Sequence, residues 1–298
     1  MAVALSRSQR KNRTARRQAG QRLRFLLLFL PGAFWLTVFF MLPLAIVLVY
    51  SLLTRGTYGG VEPIVTLKNY ARLADGRYVT IFVRSMNMAL VTTVVSLVFA
   101  YPLAYFIVKA PTRWRGALLL LVIVPFWTNF LVRTYAWIVL LRTEGVVNVL
   151  LQNLGLISEP LQILYTPFAV TVGLVYGFMP FMVLPLYASI EKLDFALVDA
   201  AHDLGANELR AFLRVMLPLT LPGVIAGCIL VFIPAIGAFI TPDILGGAKT
   251  MMIGNLTQEQ FTSARNWPFG SVVSIALMAI VSVAAYVYFR YSGEGSRA

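Results

Sequence analysis

The side chains able to do chemistry are few in this 298-residue chain: twelve carboxylates, one histidine and one cysteine. A lone His202 and a lone Cys228 supply neither a metal cluster nor an internal disulfide. No His-Glu-x-x-His or Gly-x-Ser-x-Gly stands in the sequence, so protease or esterase chemistry has nothing to start from. LGGAKT at 245–250 has the composition of a phosphate loop but no Gly-Lys-Ser/Thr at the spacing that cradles a nucleotide. The chain is therefore expected to be no enzyme and to carry no cofactor or metal. One charge stands out instead. In VPFWTNFLVRTYAWIVLL, residues 124–141, helical spacing puts Phe126, Asn129, Arg133 and Trp137 within an arc of about 80°. An arginine at membrane depth is costly and has to face protein or water. Two readings stay open: Arg133 lines a solute pathway, or it is structural and held by backbone carbonyls.

The elements around it are membrane spans. The chain is 59% hydrophobic and 12% charged, with a mean hydropathy of +0.79, whereas soluble domains carry about 25% charged residues. Six stretches reach the roughly 20 apolar residues that a bilayer core requires, near 25–52, 85–108, 117–141, 166–190, 221–243 and 269–290. They predict an all-α polytopic membrane protein: a basic tail 1–24, one domain over 25–290 and a short tail 291–298. Prolines in these spans are read as ordinary kinks. The apolar run after Arg24 is too long for a signal peptide and is expected to stay as an anchor.

The net charge of +13 lies mostly to one side. Eight basic residues precede the first span, which fits a cytoplasmic segment near anionic lipid and argues against nucleic acid. With both termini inside, the inner segments hold sixteen Lys and Arg and the outer loops eight, which favours that orientation. None of the carboxylates lies in the middle of a span. Carriers coupled to protons or sodium usually keep one there. A transporter with no coupling ion and no nucleotide site takes its energy from a partner, or is a passive channel.

Between the fourth and fifth spans the apolar sequence is interrupted by DAAHDLGANELRAFLRVMLPLTLPG. The loop 191–220 reads as two short helices, with Asp194 and Asn207 as caps and Gly205 at the left-handed turn. The second helix is expected to stop before Pro218. Leu197, Ala200, Ala201 and Leu204 share one face, and Leu209, Phe212, Leu213 and Met216 share another. A surface-lying amphipathic loop is one reading. A DNA-reading helix-turn-helix fails, because both ends run directly into membrane spans. The third reading is a docking element for a cytoplasmic partner. Gly173-x-x-x-Gly177 and Gly223-x-x-x-Gly227 add close-packing signals in the fourth and fifth spans.

The loop resembles that of permease subunits of ATP-binding-cassette importers, whose pattern is Glu-Ala-Ala, three residues, Gly, nine residues, Ile-x-Leu-Pro. Here Asp199, Ala200, Ala201, Gly205, Val215, Leu217 and Pro218 keep every gap, with Asp for Glu and Val for Ile. The resemblance implies a type I importer permease whose loop docks on an ATPase dimer that binds the ATP. VPFWTNFLVRTYAWIVLL and residues 237–274 look like the first permease of spermidine/putrescine importers. That likeness implies a second, related permease, an extracytoplasmic binding protein and a bacterial inner membrane. For a polyamine, Trp127, Tyr135 and Tyr176 would offer cation–π faces, about 0.5–2 kcal/mol each. Asp243 and Glu259 would attract it at the outer mouth. Related permeases move 4-aminobutyrate-like amino acids, opines or aminoethylphosphonate, and these are the alternative substrates.

Overall fold

The computed structural model describes residues 29–292; the basic tail 1–24 and residues 293–298 lie outside the described residues. In chain order the elements are α1 (Phe29–Ser51), β1 (Leu53–Arg55), β2 (Val61–Val65), α2 (Lys68–Leu73), α3 (Gly76–Lys109), α4 (Thr112–Trp127) and α5 (Phe130–Leu141). There follow α6 (Val146–Asn153), α7 (Pro167–Ile190), α8 (Ala196–Asp203), α9 (Glu208–Ile236), α10 (Ile240–Gly246), α11 (Ile253–Phe261) and α12 (Trp267–Ser292). Six helical stretches are long and apolar enough to cross a membrane: α1, α3, α5 with α6, α7, α9 and α12.

Helices α3, α7 and α9 form the centre. Ala100, Ala104 and Ile107 of α3 meet Met182, Leu186 and Ile190 of α7 and Val224 and Val231 of α9, all buried. In lipid such contacts hold by close packing rather than by escape from water, so small residues decide how near the backbones come. A Cβ on Gly223 would sit 2.8 Å from the Pro185 carbonyl oxygen, and one on Gly227 would sit 2.6 Å from the Met182 sulfur. The second glycine pair splits: Gly173 is pressed against Thr241 and Leu245 of α10, whereas Gly177 has only Phe130 at its edge. Helix α1 packs along α12, and its first half presents Phe34, Trp35, Phe39 and Phe40 outward.

Three features depart from the sequence reading. The third expected span, 117–141, is not one helix: α4 ends at Trp127, Thr128 is extended and Asn129 begins α5. With 16 residues α4 rises only about 24 Å, short of a core of about 30 Å, and the stretch long enough to cross begins beyond the break, at Phe130, taking in α5 and α6. Second, the helix expected to end before Pro218 runs through it. A π turn over Phe212–Met216 shifts the bonding, so that the Leu217 N–H donates to the Phe212 carbonyl five residues back. Pro218 then falls at the start of the next regular stretch, where a missing N–H costs little. The Thr220 hydroxyl donates to the Met216 carbonyl at 2.8 Å and accepts from the Tyr101 hydroxyl at 2.8 Å, tying this turn to α3. Third, the loop after α1 holds a small antiparallel hairpin, β1 with β2, turned by Gly59 and Gly60 at positive φ.

Candidate functional site

The interruption is a built element anchored at its base. Phe195 lies under the Lys109 ammonium, 3.9 Å from the ring centroid. Arg115 of α4 pairs with Glu191 at 3.6 Å, and the Tyr187 hydroxyl donates to the same carboxylate at 2.6 Å. Asp194 accepts from the Ala196 N–H at 3.0 Å and so starts α8, while Phe195 takes the formal cap position. Gly205 has φ +83°, a conformation that side chains with a Cβ adopt at a cost. Its N–H donates to the His202 carbonyl at 2.8 Å, and the Ala206 N–H reaches back to Ala201 at 3.0 Å. Asn207 then accepts from the Arg210 N–H at 2.9 Å and opens α9. The Gly205 turn and the Asn207 cap therefore stand where their spacing places them, whereas the first helix starts one residue later than the expected Asp194 cap would place it.

The apolar faces do not stand quite as spacing implies. Phe195, Val198, Phe212 and Met216 turn toward the membrane helices. Leu197, Leu204 and Leu213 point away, with Leu204 89% exposed, while Leu209 lines the cleft between the knob and α3 beside Val198 and Phe212. Of the motif residues, Asp199, Ala200, Gly205 and Pro218 are exposed, and Ala201, Val215 and Leu217 are half-buried. The result is a firm two-helix knob whose outer face carries leucines and two alanine-thin positions. Lys109 and Phe195, which hold the knob, were not singled out from sequence. Lys109 closing α3 beside an aromatic in the loop was the signal for them.

Around the helix break a second cluster assembles. Arg133 is 9% exposed, and its Nη1 donates to the Pro125 carbonyl at 3.3 Å. Its guanidinium carbon lies 5.2, 5.3 and 5.6 Å from the ring centroids of Phe126, Phe130 and Tyr176. Trp137 meets Tyr176 edge-on at 5.5 Å. Asn129 leaves the arc drawn for a continuous helix and caps α5, accepting from the Leu131 N–H at 2.9 Å. Trp127, at 74% exposed, and Tyr135 face outward, so they stand apart from the ring set around Arg133.

Asp243 is not the end of the fifth span; that helix stops at Ile236, and Asp243 belongs to the separate α10. The carboxylate is exposed and held by Asn255, whose amide also donates to the Phe239 carbonyl at 2.8 Å. The Asn255 oxygen accepts from the Met252 N–H at 3.1 Å, and the Ser85 hydroxyl accepts from Ile253 at 2.8 Å. Asn255 thus joins the end of α9, α10 and α11 and aims Asp243. Sequence reasoning passed it over, because a single asparagine in an outer segment carries no spacing signal. Glu259 is exposed on α11. Among the described residues no group of three or more His, Cys, Asp or Glu is placed to hold a metal.

Residues 19–293 match the family described as the binding-protein-dependent transport system inner membrane component. The chain belongs to that family. It is 48% identical over 258 residues to the spermidine/putrescine transport system permease protein PotB of Escherichia coli, covering 87% of this chain and 94% of that one. To PotB of Haemophilus influenzae it is 45% identical over 256 residues, 86% and 90% of the two chains. In fold it is similar to a chain of a bacterial ABC transporter involved in the import of the acidic polysaccharide alginate. There the TM-score is 0.69 at 17% identity, with 92% of this chain and 98% of that chain covered. A chain of the MetNI methionine ABC transporter in an inward-facing conformation gives 0.53 at 16% identity, covering 72% and 94%. The helical, six-span architecture read from composition is the architecture of the protein, and the family places it in the inner membrane.

Proposed function

We propose that this chain is the permease subunit of an ATP-driven, binding-protein-dependent importer of polyamines, putrescine and spermidine. The observation that carries the substrate is the near full-length identity to permeases named for those two amines. The chain is not itself catalytic; an ATPase dimer binds and hydrolyses the ATP. That dimer docks on the knob formed by α8 and the start of α9, through Asp199, Ala200, Ala201 and Gly205, with Val215, Leu217 and Pro218 passing the movement into α9. The support is an anchored base, a capped turn and an outward leucine face. Both termini and the knob are cytoplasmic. A second related permease pairs with this one, membrane lipid covers the remaining apolar faces, and an extracytoplasmic binding protein delivers the amine near Asp243 and Glu259. The pathway passes the aromatic set of Trp137 and Tyr176, with Trp127, Asn129, Arg133 and Tyr135 around the helix break.

The test is uptake of labelled putrescine and spermidine in cells with and without the chain, its operon partners present. Loss of uptake that unlabelled polyamine competes, and 4-aminobutyrate does not, is the expected result. Unchanged polyamine uptake in cells with no second polyamine system moves the substrate to the amino-acid-like or opine group.

A further inference from the structure

Arg133 is a buried charge with an unusual balance. Among the described residues no carboxylate lies within 4.0 Å of its guanidinium. Three aromatic faces and one carbonyl hold it instead, and the carbonyl bond, at 3.3 Å, is longer than the usual 2.9–3.0 Å. The carbonyl is that of Pro125, in the last turn of α4, where the helix breaks and its end carries partial negative charge. Such a break is tolerated at membrane depth where protein encloses it or where it lines a cavity. Aromatic faces closing on a positive charge beside backbone carbonyls are also what an alkylammonium needs in order to leave water. The cage is not sealed, because Tyr176 is partly exposed.

We propose that Arg133 is a tethered stand-in for the transported ammonium group. In the unloaded protein its guanidinium fills the cage of Phe126, Phe130, Tyr176 and the Pro125 carbonyl. A passing alkylammonium takes that place, and the arginine swings out on its flexible stem. The cage is then never left without a cation, and a neutral or anionic solute has nothing with which to displace the guanidinium. This inference rests on the polyamine reading. A purely structural arginine would clasp α4 to α5 and α7 in every state.

The test uses the complete importer in proteoliposomes, with ethylguanidinium as the probe. In Arg133→Ala the cage stands open to that ion, and putrescine uptake becomes at least about threefold more sensitive to it, the scale of one cation–π contact. Wild type and Arg133→Lys, whose cages are filled, show no such sensitivity. Equal sensitivity in all three overturns the proposal. A second readout needs no variant: an arginine-specific dicarbonyl is applied to the wild-type importer, and the Arg133 peptide is followed by mass spectrometry. Modification rising when saturating putrescine and ATP are added supports displacement; no change overturns it, including where Arg133→Ala fails to assemble. If the wild-type importer moves neither putrescine nor spermidine, the substrate reading fails and takes this inference with it. Transport without displacement removes this inference alone.

Discussion

Gly205 shows how much of the knob depends on one backbone angle. At φ +83° it reverses the chain between α8 and α9, and nothing lies within 4 Å of where its Cβ would be. A substitution there is resisted by backbone strain and not by crowding. Gly205→Val forces a β-branched residue into that region at a cost of about 1–3 kcal/mol. The turn reshapes while the spans stay packed. The expected outcome is loss of polyamine uptake with unchanged membrane abundance, read by transport assay and immunoblot; normal uptake would sink the docking role. Asn255 and Asp243 make an opposite pair. Asn255→Leu leaves the buried Met252 N–H without its partner, about 1–3 kcal/mol, and also frees the partly buried Phe239 carbonyl. The midpoint of thermal unfolding of the purified protein should fall clearly. Asp243→Ala takes from Asn255 only one of its hydrogen bonds and should lower that midpoint less than Asn255→Leu does, while lowering uptake. Were both variants to shift the midpoint alike, Asp243 would be structural and not a cation-attracting group.

At the scale of elements, α7 against α9 is the contact most sensitive to size. Gly223→Val would push carbon into Ser189 and the Pro185 carbonyl, a backbone group that cannot turn aside. Overpacking of this kind costs about 1–3 kcal/mol when neighbours give way, and more against backbone. The variant should be strongly depleted from membranes, whereas Gly177→Ala, with only a Phe130 edge at 4.0 Å, should accumulate normally. Equal abundance of the two would show that α7 and α9 do not meet at Gly223. These elements differ in how far sequence discloses them. Spans, caps and the Gly205 turn are legible because apolar length, side-chain acceptors and positive φ are local demands. The break at Thr128 is not, because a 100° wheel assumes the continuity that the break removes. Arg133, Trp137 and Phe126 still gather around Tyr176 and the break, through α7 and across the gap, but Asn129 leaves them to cap α5. The π turn hides for a related reason: Pro218 signals a helix end, and only the Tyr101 and Thr220 hydroxyls show how the helix continues. The hairpin did have a signal, Gly59-Gly60 ahead of the β-branched residues Val61, Ile64 and Val65, which the apolar spans on either side obscure.

At the scale of the molecule, everything proposed turns on which side the knob faces. Sixteen basic residues against eight favour the proposed orientation, with the knob and both termini in the cytoplasm. ATP is available only there, so an inverted chain would show its docking face where no ATPase can act. Two positions at opposite ends report the orientation without disturbing the core. Leu204 on the knob is 89% exposed, and Tyr58 in the hairpin loop is 98% exposed. Cysteine at either site is open to a membrane-impermeant maleimide, and the native Cys228, only partly exposed within α9, serves as the background. Leu204→Cys should label in inverted membrane vesicles and stay unlabelled in intact spheroplasts, with Tyr58→Cys giving the reverse. Labelling of Leu204→Cys in intact spheroplasts would invert the topology and remove the docking role of Asp199 to Pro218. The same result would put Asp243 and Glu259 on the cytoplasmic side, where they could not receive an amine from outside. One labelling pattern therefore decides both ends of the pathway together, since the knob and the Asp243 mouth are joined through the single continuous helix α9.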